Sequence, residues 1–372
     1  MERFHNLDFL RTFAMMMGLF IHAHLLFIMP DIAKDFEIED IPNPENWILI
    51  IIDFISNWRM PLFFLLSGFF SVLVIERKGI SYFIKDRVIR IGLTCLLFSS
   101  FYDIIEDGNY DFTTSHLWFL YELMIFILFF SLLHRFQNFK EIIRKKISIK
   151  LFFIISFWLV LTVPLAHILN NSLHPLAINP SVTFFDLKLG NLVYYFSYFL
   201  LGVLFYSNHK LFYKLADNKV LISLATLAIL AFFLKLYANL LTFEEVKDFK
   251  NIELIQFDRN AVLFNAFTKG INSILWSLFL IGLSSKFFKF DNAILKWFVE
   301  LSYPIYILHV FPLVIISAIF YYTGLNQFVI FFLTIITGFI ICVILYYFFI
   351  KFTPLNWLIN GYHKSYLKIK FK

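Results

Sequence analysis

Long apolar runs alternate with short charged stretches along the whole chain. Because a helix needs about 20 mostly apolar residues to cross a bilayer, this pattern predicts about ten transmembrane helices in one integral-membrane domain, residues 1–372. The second run is longer than a bilayer requires, so it either begins outside the bilayer or breaks near Pro61. The predicted fold class is therefore an all-α polytopic membrane protein. The predicted segments are residues 7–29, 47–75, 88–106, 116–134, 151–169, 190–207, 219–241, 262–285, 297–322 and 326–350.

Composition agrees with this pattern. Hydrophobic residues make up 60% of the chain and charged residues 16%, whereas soluble domains are about half apolar and about a quarter charged. The run at 7–29 is too long for a signal peptide and lacks a small-residue cleavage site, so it predicts a membrane helix. Cys95 and Cys342 lie inside apolar runs and are expected to be buried small hydrophobes, not a disulfide pair.

Lysine and arginine are unevenly spread over the loops. Cytoplasmic loops of membrane proteins carry an excess of these residues. If the N-terminus is inside, most of the 32 basic residues lie on the inner side, and the bias alternates through all the segments. This predicts both termini in the cytoplasm. It also explains the net charge of +6 by contact with anionic lipid headgroups, and no nucleic-acid partner is expected.

Ionisable residues inside membrane segments are costly, so they usually face the protein interior and mark functional sites. Counting about 1.5 Å of rise per residue places His22, Glu122 and His309 at similar depths in the middle-to-outer half of three segments. A neutral small residue would cost less than His22 at that depth. These three proton-active side chains are the predicted catalytic layer.

Arg11, Arg87 and Arg90 form a second predicted layer near the inner ends of their segments. Arginines there also anchor a protein on the cytoplasmic side, and this structural interpretation stays open for Arg87 and Arg90. A basic mouth below a proton-transfer layer suits an anionic donor that enters from inside with its reactive end pointing outward. Glu300 lies near the same inner end and receives no predicted role.

Metal and nucleotide motifs are absent from the sequence. His22 and His24 lack the i, i+4 spacing that places two ligands on one helical face, so no metal site is predicted. His24 points away from His22 by about 200° and is expected to be interfacial or structural. There is no Walker loop, dinucleotide glycine fingerprint or serine nucleophile elbow, and no permanently bound cofactor is expected.

The remaining polar positions have structural interpretations. Asp53 and Arg59 are expected to pair near the outer end of the second segment, and Lys235 is expected to snorkel outward. His116 starts the fourth segment, which favours a helix-end role. Gly68 is expected to allow close helix packing.

Four motifs resemble, in their order along the chain, those of the membrane acyltransferase 3 family. The first is an opening stretch followed eleven residues later by His22, and the others fall in or beside the second, third and ninth segments. A further stretch, His116-Leu117-Trp118-Phe119-Leu120, resembles the periplasmic-glucan succinyltransferase branch. The four motifs are Leu7-Asp8-Phe9-Leu10-Arg11, Met60-Pro61-Leu62-Phe63-Phe64-Leu65-Leu66-Ser67-Gly68-Phe69, Arg87-Val88-Ile89-Arg90 and Ser302-Tyr303-Pro304-Ile305-Tyr306-Ile307-Leu308-His309.

The resemblance implies an enzyme of a bacterial inner membrane that moves acetyl or succinyl groups from cytoplasmic acyl-CoA to a hydroxyl of a glycan. It implies that His22 is the essential histidine and that Arg11, Arg87 and Arg90 hold the donor's phosphates or position the site. The chain departs from the family where His309-Val310-Phe311-Pro312 replaces the usual His-Trp-Pro. Acyl-CoA, a glycan acceptor and membrane lipids are the expected partners.

His22 is expected to act as general base, since an imidazole titrates near neutral pH, with Glu122 orienting or charge-balancing it. Two alternatives stay open at this point. One is a secondary transporter with a His/Glu proton relay, although the sequence shows no inverted repeat of the kind such transporters use. The other is a non-catalytic membrane scaffold.

Overall fold

The computed structural model describes residues 4–39, 41–171, 183–243, 256–288 and 292–361. Within these ranges the chain is helical apart from loops and an isolated bridge between Thr113 and Thr183, which confirms the all-α prediction. Single turns of 3₁₀ helix (Ser115–Leu117) and of π-helix (Val88–Leu93, Tyr346–Ile350) adjoin the α-helices. The α-helices are α1 (His5–His22), α2 (Leu25–Ile28), α3 (Pro30–Asp35), α4 (Asn46–Lys78), α5 (Ile80–Arg87), α6 (Thr94–Asp107), α7 (Trp118–Leu133), α8 (Gln137–Arg144), α9 (Ile149–Leu169), α10 (Leu189–Ser207), α11 (Leu211–Leu215), α12 (Asn218–Thr242), α13 (Arg259–Phe287), α14 (Ala293–Leu308), α15 (Val310–Tyr322), α16 (Gln327–Leu345) and α17 (Leu355–Ile359).

Eight helical segments of the described chain are long and apolar enough to cross a membrane. The pair α14 and α15 makes a ninth if it is one span, although the two helices meet with a bend of 70°. These segments correspond to every predicted span except the first, so the described residues contain eight or nine of the about ten predicted spans. The location of both termini in the cytoplasm stays a prediction.

The first predicted span, 7–29, is not one continuous helix. Helix α1 ends at His22, a turn follows at Ala23 and His24, and α2 and α3 are short. Helix α1 has 18 residues that include Asp8 and Arg11, and it is not among the helices apolar enough to cross a membrane by composition. It packs against α4, α13 and α14, so protein rather than lipid surrounds its polar side chains.

Helix α4 is continuous from Asn46 to Lys78 with Pro61 inside it, so a break near Pro61 is excluded. Its 33 residues exceed what a bilayer core of about 30 Å needs. Its largest interface is with α10. At this crossing an added Cβ on Gly68 would overlap the carbonyl oxygen of Phe199, which confirms the prediction that Gly68 allows close packing.

A buried polar cluster joins α4, α12 and α13. The Lys235 ammonium lies 3.4 Å from the Asp53 carboxylate and donates hydrogen bonds to Asn239 (2.6 Å) and Asn265 (2.8 Å). The Lys235 side chain is only 3% exposed, so the prediction that it snorkels outward is wrong. The predicted pairing of Asp53 with Arg59 is also wrong, because residues 53 and 59 do not share a helical face.

Asp53→Asn and Lys235→Met are each expected to destabilise the protein, because each leaves the other charge without its counter-ion inside the bundle. A double-mutant cycle should give a coupling free energy within about 0.5–3 kcal/mol, towards the lower end because the Asp53 side chain is 27% exposed. Reversible SDS unfolding of the purified protein measures it. Lys78→Gln, at the exposed end of α4, is the control, and strictly additive losses would contradict the ion pair.

Candidate active site

Three histidines from separate parts of the chain meet inside the bundle. The ring centroids of His22 and His309 lie 5.0 Å apart, and those of His116 and His309 lie 5.5 Å apart, each pair edge-to-face. His22 is the last residue of α1, His116 lies in the 3₁₀ turn before α7, and His309 lies at the break between α14 and α15. The structure therefore brings together His22 and His309, which depth alone had placed in one layer.

The bend at His309 supplies the hydrogen-bond acceptors for the rings of His309 and His116. A helix leaves its last carbonyl groups without intrahelical partners, and here side chains of the site bond to two of them. His309 Nδ1 lies 2.7 Å from the Tyr306 carbonyl oxygen, and His116 Nε2 lies 3.0 Å from that of Ile307. Tyr102 also donates its hydroxyl to the Ile307 carbonyl.

These contacts determine which ring nitrogen carries a proton. A carbonyl oxygen only accepts, so His309 donates from Nδ1 and His116 donates from Nε2. In the neutral His309 ring, Nε2 is then the acceptor. His309 Nε2 and His22 Nδ1 are both buried and have no hydrogen-bond partner among the described residues. Since buried polar atoms are normally paired, these two nitrogens are the atoms of the cluster best suited to meet a reacting group.

Glu122 is buried on α7. Its electrostatic neighbours are the Asn191 amide and Lys188, and it also acts on Tyr195 of α10. No hydrogen bond, ion pair or ring contact joins Glu122 to His22 in the described part of the chain. A role of Glu122 in orienting His22 stays a prediction without a direct contact behind it.

Arg11, Arg87 and Arg90 line one cavity of about 110 Å³. The predicted basic layer is therefore a single site, formed by α1, by the end of α5 and by the π-turn that follows it. Met15, Phe63 and Phe119 line the same cavity on its apolar side. The Phe119 ring lies 5.6 Å from the Tyr306 ring, which in turn lies 5.9 Å from the His309 ring. A series of ring contacts thus connects the cavity wall to the histidines.

Ion pairs and hydrogen bonds position Arg87 and Arg90. Arg87 and Arg90 share Asp86, each at 3.8 Å, so two guanidinium groups face one carboxylate. Arg90 also donates from Nε and Nη2 to the Ile359 carbonyl in α17 at 3.2 Å. The Tyr303 hydroxyl donates to the Arg90 carbonyl at 2.6 Å. The pair therefore keeps an excess of positive charge at the cavity wall.

Glu300 and His24 have structural contacts. Glu300 accepts a hydrogen bond from the Tyr346 hydroxyl at 2.6 Å and lies 3.7 Å from Lys351, and so helps to fix the chain before α17. His24 lies 3.1 Å from the Gln327 side chain and stacks on Phe27, as expected for a structural residue. No group of three or more His, Cys, Asp or Glu side chains in the described ranges is arranged to hold a metal ion.

The sequence did not predict the positions of His116 and Arg59 beside the histidine cluster. His116 was expected to have a helix-end role, yet its ring contacts that of His309. The only sequence feature that pointed to a functional role for His116 was the resemblance of the stretch from His116 to Leu120. Arg59 was expected to pair with Asp53, yet its Nε donates to the Ala14 carbonyl of α1 at 2.9 Å. Its guanidinium acts electrostatically on both His22 and His309.

The chain matches the family model described as an acyltransferase domain over residues 4–347. Curated relatives include glucans biosynthesis protein C of Escherichia coli O1:K1 / APEC and of Escherichia coli O9:H4 (strain HS). Each is 30% identical over 95 residues, which cover 26% of this chain and 23% of the relative. The match thus spans less than a quarter of these relatives' length. A comparison with solved structures finds no match.

The family match extends from the start of α1 to the second residue of the π-turn after α16, and it includes all three histidines and all three cavity arginines. The helices long enough to span a membrane lie within it almost completely. The protein is therefore a multi-pass membrane acyltransferase and belongs to the acyltransferase 3 family.

Proposed function

We propose that the protein is an acyl-CoA-dependent O-acyltransferase in the cytoplasmic membrane of a bacterium. It transfers an acetyl or succinyl group to a hydroxyl of an extracytoplasmic or membrane-associated glycan. The observation that carries this proposal is the placement of two unpartnered imidazole nitrogens, of His22 and His309, beyond a cavity lined by three arginines. The family match favours acyl transfer over the transporter and scaffold alternatives.

The donor binds with its phosphates at Arg11, Arg87 and Arg90. Guanidinium groups form strong charge-assisted hydrogen bonds with phosphate oxygens. Eleven residues of α1, or about 16 Å of rise, separate Arg11 from His22. The pantetheine arm spans this distance along the cavity, past Met15 and Phe63, and carries the thioester towards the histidines.

His22 acts as the general base of the transfer. Its imidazole takes the proton of the acceptor hydroxyl while that oxygen attacks the thioester carbonyl. The tetrahedral intermediate then collapses, the carbon–sulfur bond breaks, and the CoA thiolate takes the proton from the His22 imidazolium. His309, fixed by the bond from its Nδ1 to Tyr306, presents Nε2 as a hydrogen-bond acceptor beside this proton transfer.

Arg87→Gln and Arg90→Gln are each expected to raise the KM for acyl-CoA by about 10- to 100-fold with little change in kcat. An increase of this size corresponds to the loss of one charge-assisted hydrogen bond to the donor. Initial-rate kinetics in nanodiscs measure this. The increase should vanish with acyl-pantetheine, which lacks the nucleotide phosphates. Lys85→Gln, an exposed neighbour on α5, is the control, and an equal KM increase for both donors would contradict phosphate binding.

The proposal is tested with membranes that contain the wild-type protein, a glycan extract, and radiolabelled acetyl-CoA or succinyl-CoA. Label should enter the glycan, and free CoA should appear in equal amount, with one of the two donors. If the protein in these membranes binds CoA but no label enters the glycan with either donor, the proposed donors are contradicted. A protein that fails to bind CoA at all would contradict the proposed use of acyl-CoA.

A further inference from the structure

Arg59 carries a charge in the membrane interior for which the described chain supplies no carboxylate. The residue is 6% exposed and lies in the middle of α4. Its electrostatic neighbours are the phenol groups of Tyr195 and Tyr306, in addition to His22 and His309. An arginine stays protonated in proteins, and a buried charge is retained when it is paired or has a function. The missing anion is therefore expected in the substrate.

Contacts with α1 fix the orientation of this guanidinium. Arg59 Nε donates to the Ala14 carbonyl at 2.9 Å. A Cβ added to Gly18 would lie 2.7 Å from Arg59 Nη2 and 3.4 Å from His309 Nε2. These two nitrogens thus converge over the same point of α1, and the glycine leaves the space that the guanidinium occupies.

That point lies between the cavity and His22 along α1. Residues three and four apart share a face of a helix, so Met15, Gly18 and His22 follow one another along one side of α1. Met15 lines the cavity. A thioester that travels from the cavity to His22 therefore passes the Arg59 guanidinium one helical turn before it reaches the imidazole.

We propose that Arg59 is a catalytic residue that binds the thioester carbonyl oxygen and stabilises the oxyanion formed when the acceptor hydroxyl attacks. This rests on the proposed function. The attacking oxygen forms a bond to the carbonyl carbon, its proton moves to His22, and the electron pair of the C=O bond moves to the oxygen that Arg59 holds. When the C–S bond breaks, the carbonyl re-forms and leaves Arg59 unchanged. Donors aimed at developing charge in a site without water are among the largest contributions to catalysis.

The test measures kcat and KM of Arg59→Gln and Arg59→Lys with acetyl-CoA and succinyl-CoA, together with CoA binding and thermal unfolding. Arg59→Gln should lower kcat by about 10²- to 10³-fold with both donors and leave KM within about threefold. Arg59→Lys should recover part of the loss, because it keeps the charge without the planar fork. Arg77→Gln, at the exposed end of the same helix, is the control.

A second variant keeps the proposal falsifiable if Arg59→Gln fails to fold. Gly18→Ala displaces the flexible end of Arg59 but removes no charge, so the protein should fold and lose at least about tenfold in kcat. An unchanged kcat in Gly18→Ala or Arg59→Gln would overturn the oxyanion role. A loss confined to succinyl-CoA would overturn it too, and would show that Arg59 binds the carboxylate of the acyl group. A wild-type protein without transfer would instead contradict the proposed function.

Discussion

Replacing His22 with alanine is expected to lower acyl transfer by at least about 10²- to 10⁴-fold while the protein stays folded. His22 Nδ1 has no hydrogen-bond partner in the described chain, so the substitution removes no native hydrogen bond at that nitrogen. In the proposed mechanism it removes the group that takes the acceptor proton. Steady-state transfer from labelled acyl-CoA to glycan, with CoA binding measured on the same preparation, checks this.

The neighbouring histidine provides the control for His22→Ala. His24 is buried, stacks on Phe27 and lies 3.1 Å from the Gln327 side chain. Glutamine at position 24 can preserve that hydrogen bond, so His24→Gln should keep near wild-type transfer. Transfer by His22→Ala within tenfold of wild type would show that another group is the base, with His309 Nε2 as the first alternative. CoA binding lost in His22→Ala alone would instead assign His22 a role in holding the donor.

Depth in the membrane could be predicted from the sequence, because a helix rises by a fixed distance per residue. This is why His22 and His309 were placed in one layer, and why Arg11, Arg87 and Arg90 were placed in another. Rotation about the helix axis, and the positions of helices beside one another, do not follow from one chain's periodicity.

Glu122 and Arg59 show what that limit means. Glu122 shares the depth of His22, but no contact joins the two in the described chain, and Asn191 and Lys188 are its electrostatic neighbours. Arg59 was assigned to Asp53 on proximity in sequence, but its guanidinium reaches α1 while Asp53 bonds to residues of α12. Buried polar residues of one helix can therefore belong to two different interfaces.

The breaks in the helices were the second gap in the prediction. Residues 297–322 read as one apolar run, yet the chain bends by 70° between α14 and α15. Pro312 lies in the first turn of α15, where a missing N–H costs nothing, so the bend uses a residue that a helix start tolerates. The bend frees the carbonyl groups that fix His309 and His116. The departure from a regular span is thus part of the site.

Gly68→Ala and Gly202→Ala are each expected to destabilise the protein by about 3 kcal/mol or more, at the upper end of the cost of overpacking. The two glycines lie at the crossing of α4 and α10. An added Cβ on Gly68 would overlap the Phe199 carbonyl, and one on Gly202 would overlap the Leu65 carbonyl. Both obstacles are helix backbone, which cannot rotate aside as a side chain can, so the helices must move apart.

Gly92→Ala is the matched control for these two variants, because the nearest atom to its added Cβ is Met124 Sδ at 3.6 Å, an ordinary contact. Its free energy of unfolding, from reversible SDS unfolding, should stay within about 1 kcal/mol of wild type. Helix α4 also carries Arg59, so the separation of α4 from α10 in Gly68→Ala should lower kcat in the fraction that stays folded. If Gly68→Ala and Gly202→Ala are both as stable as Gly92→Ala, the backbones of α4 and α10 do not pack in direct contact. The packing of α10 against α4 then does not help to hold Arg59 in place.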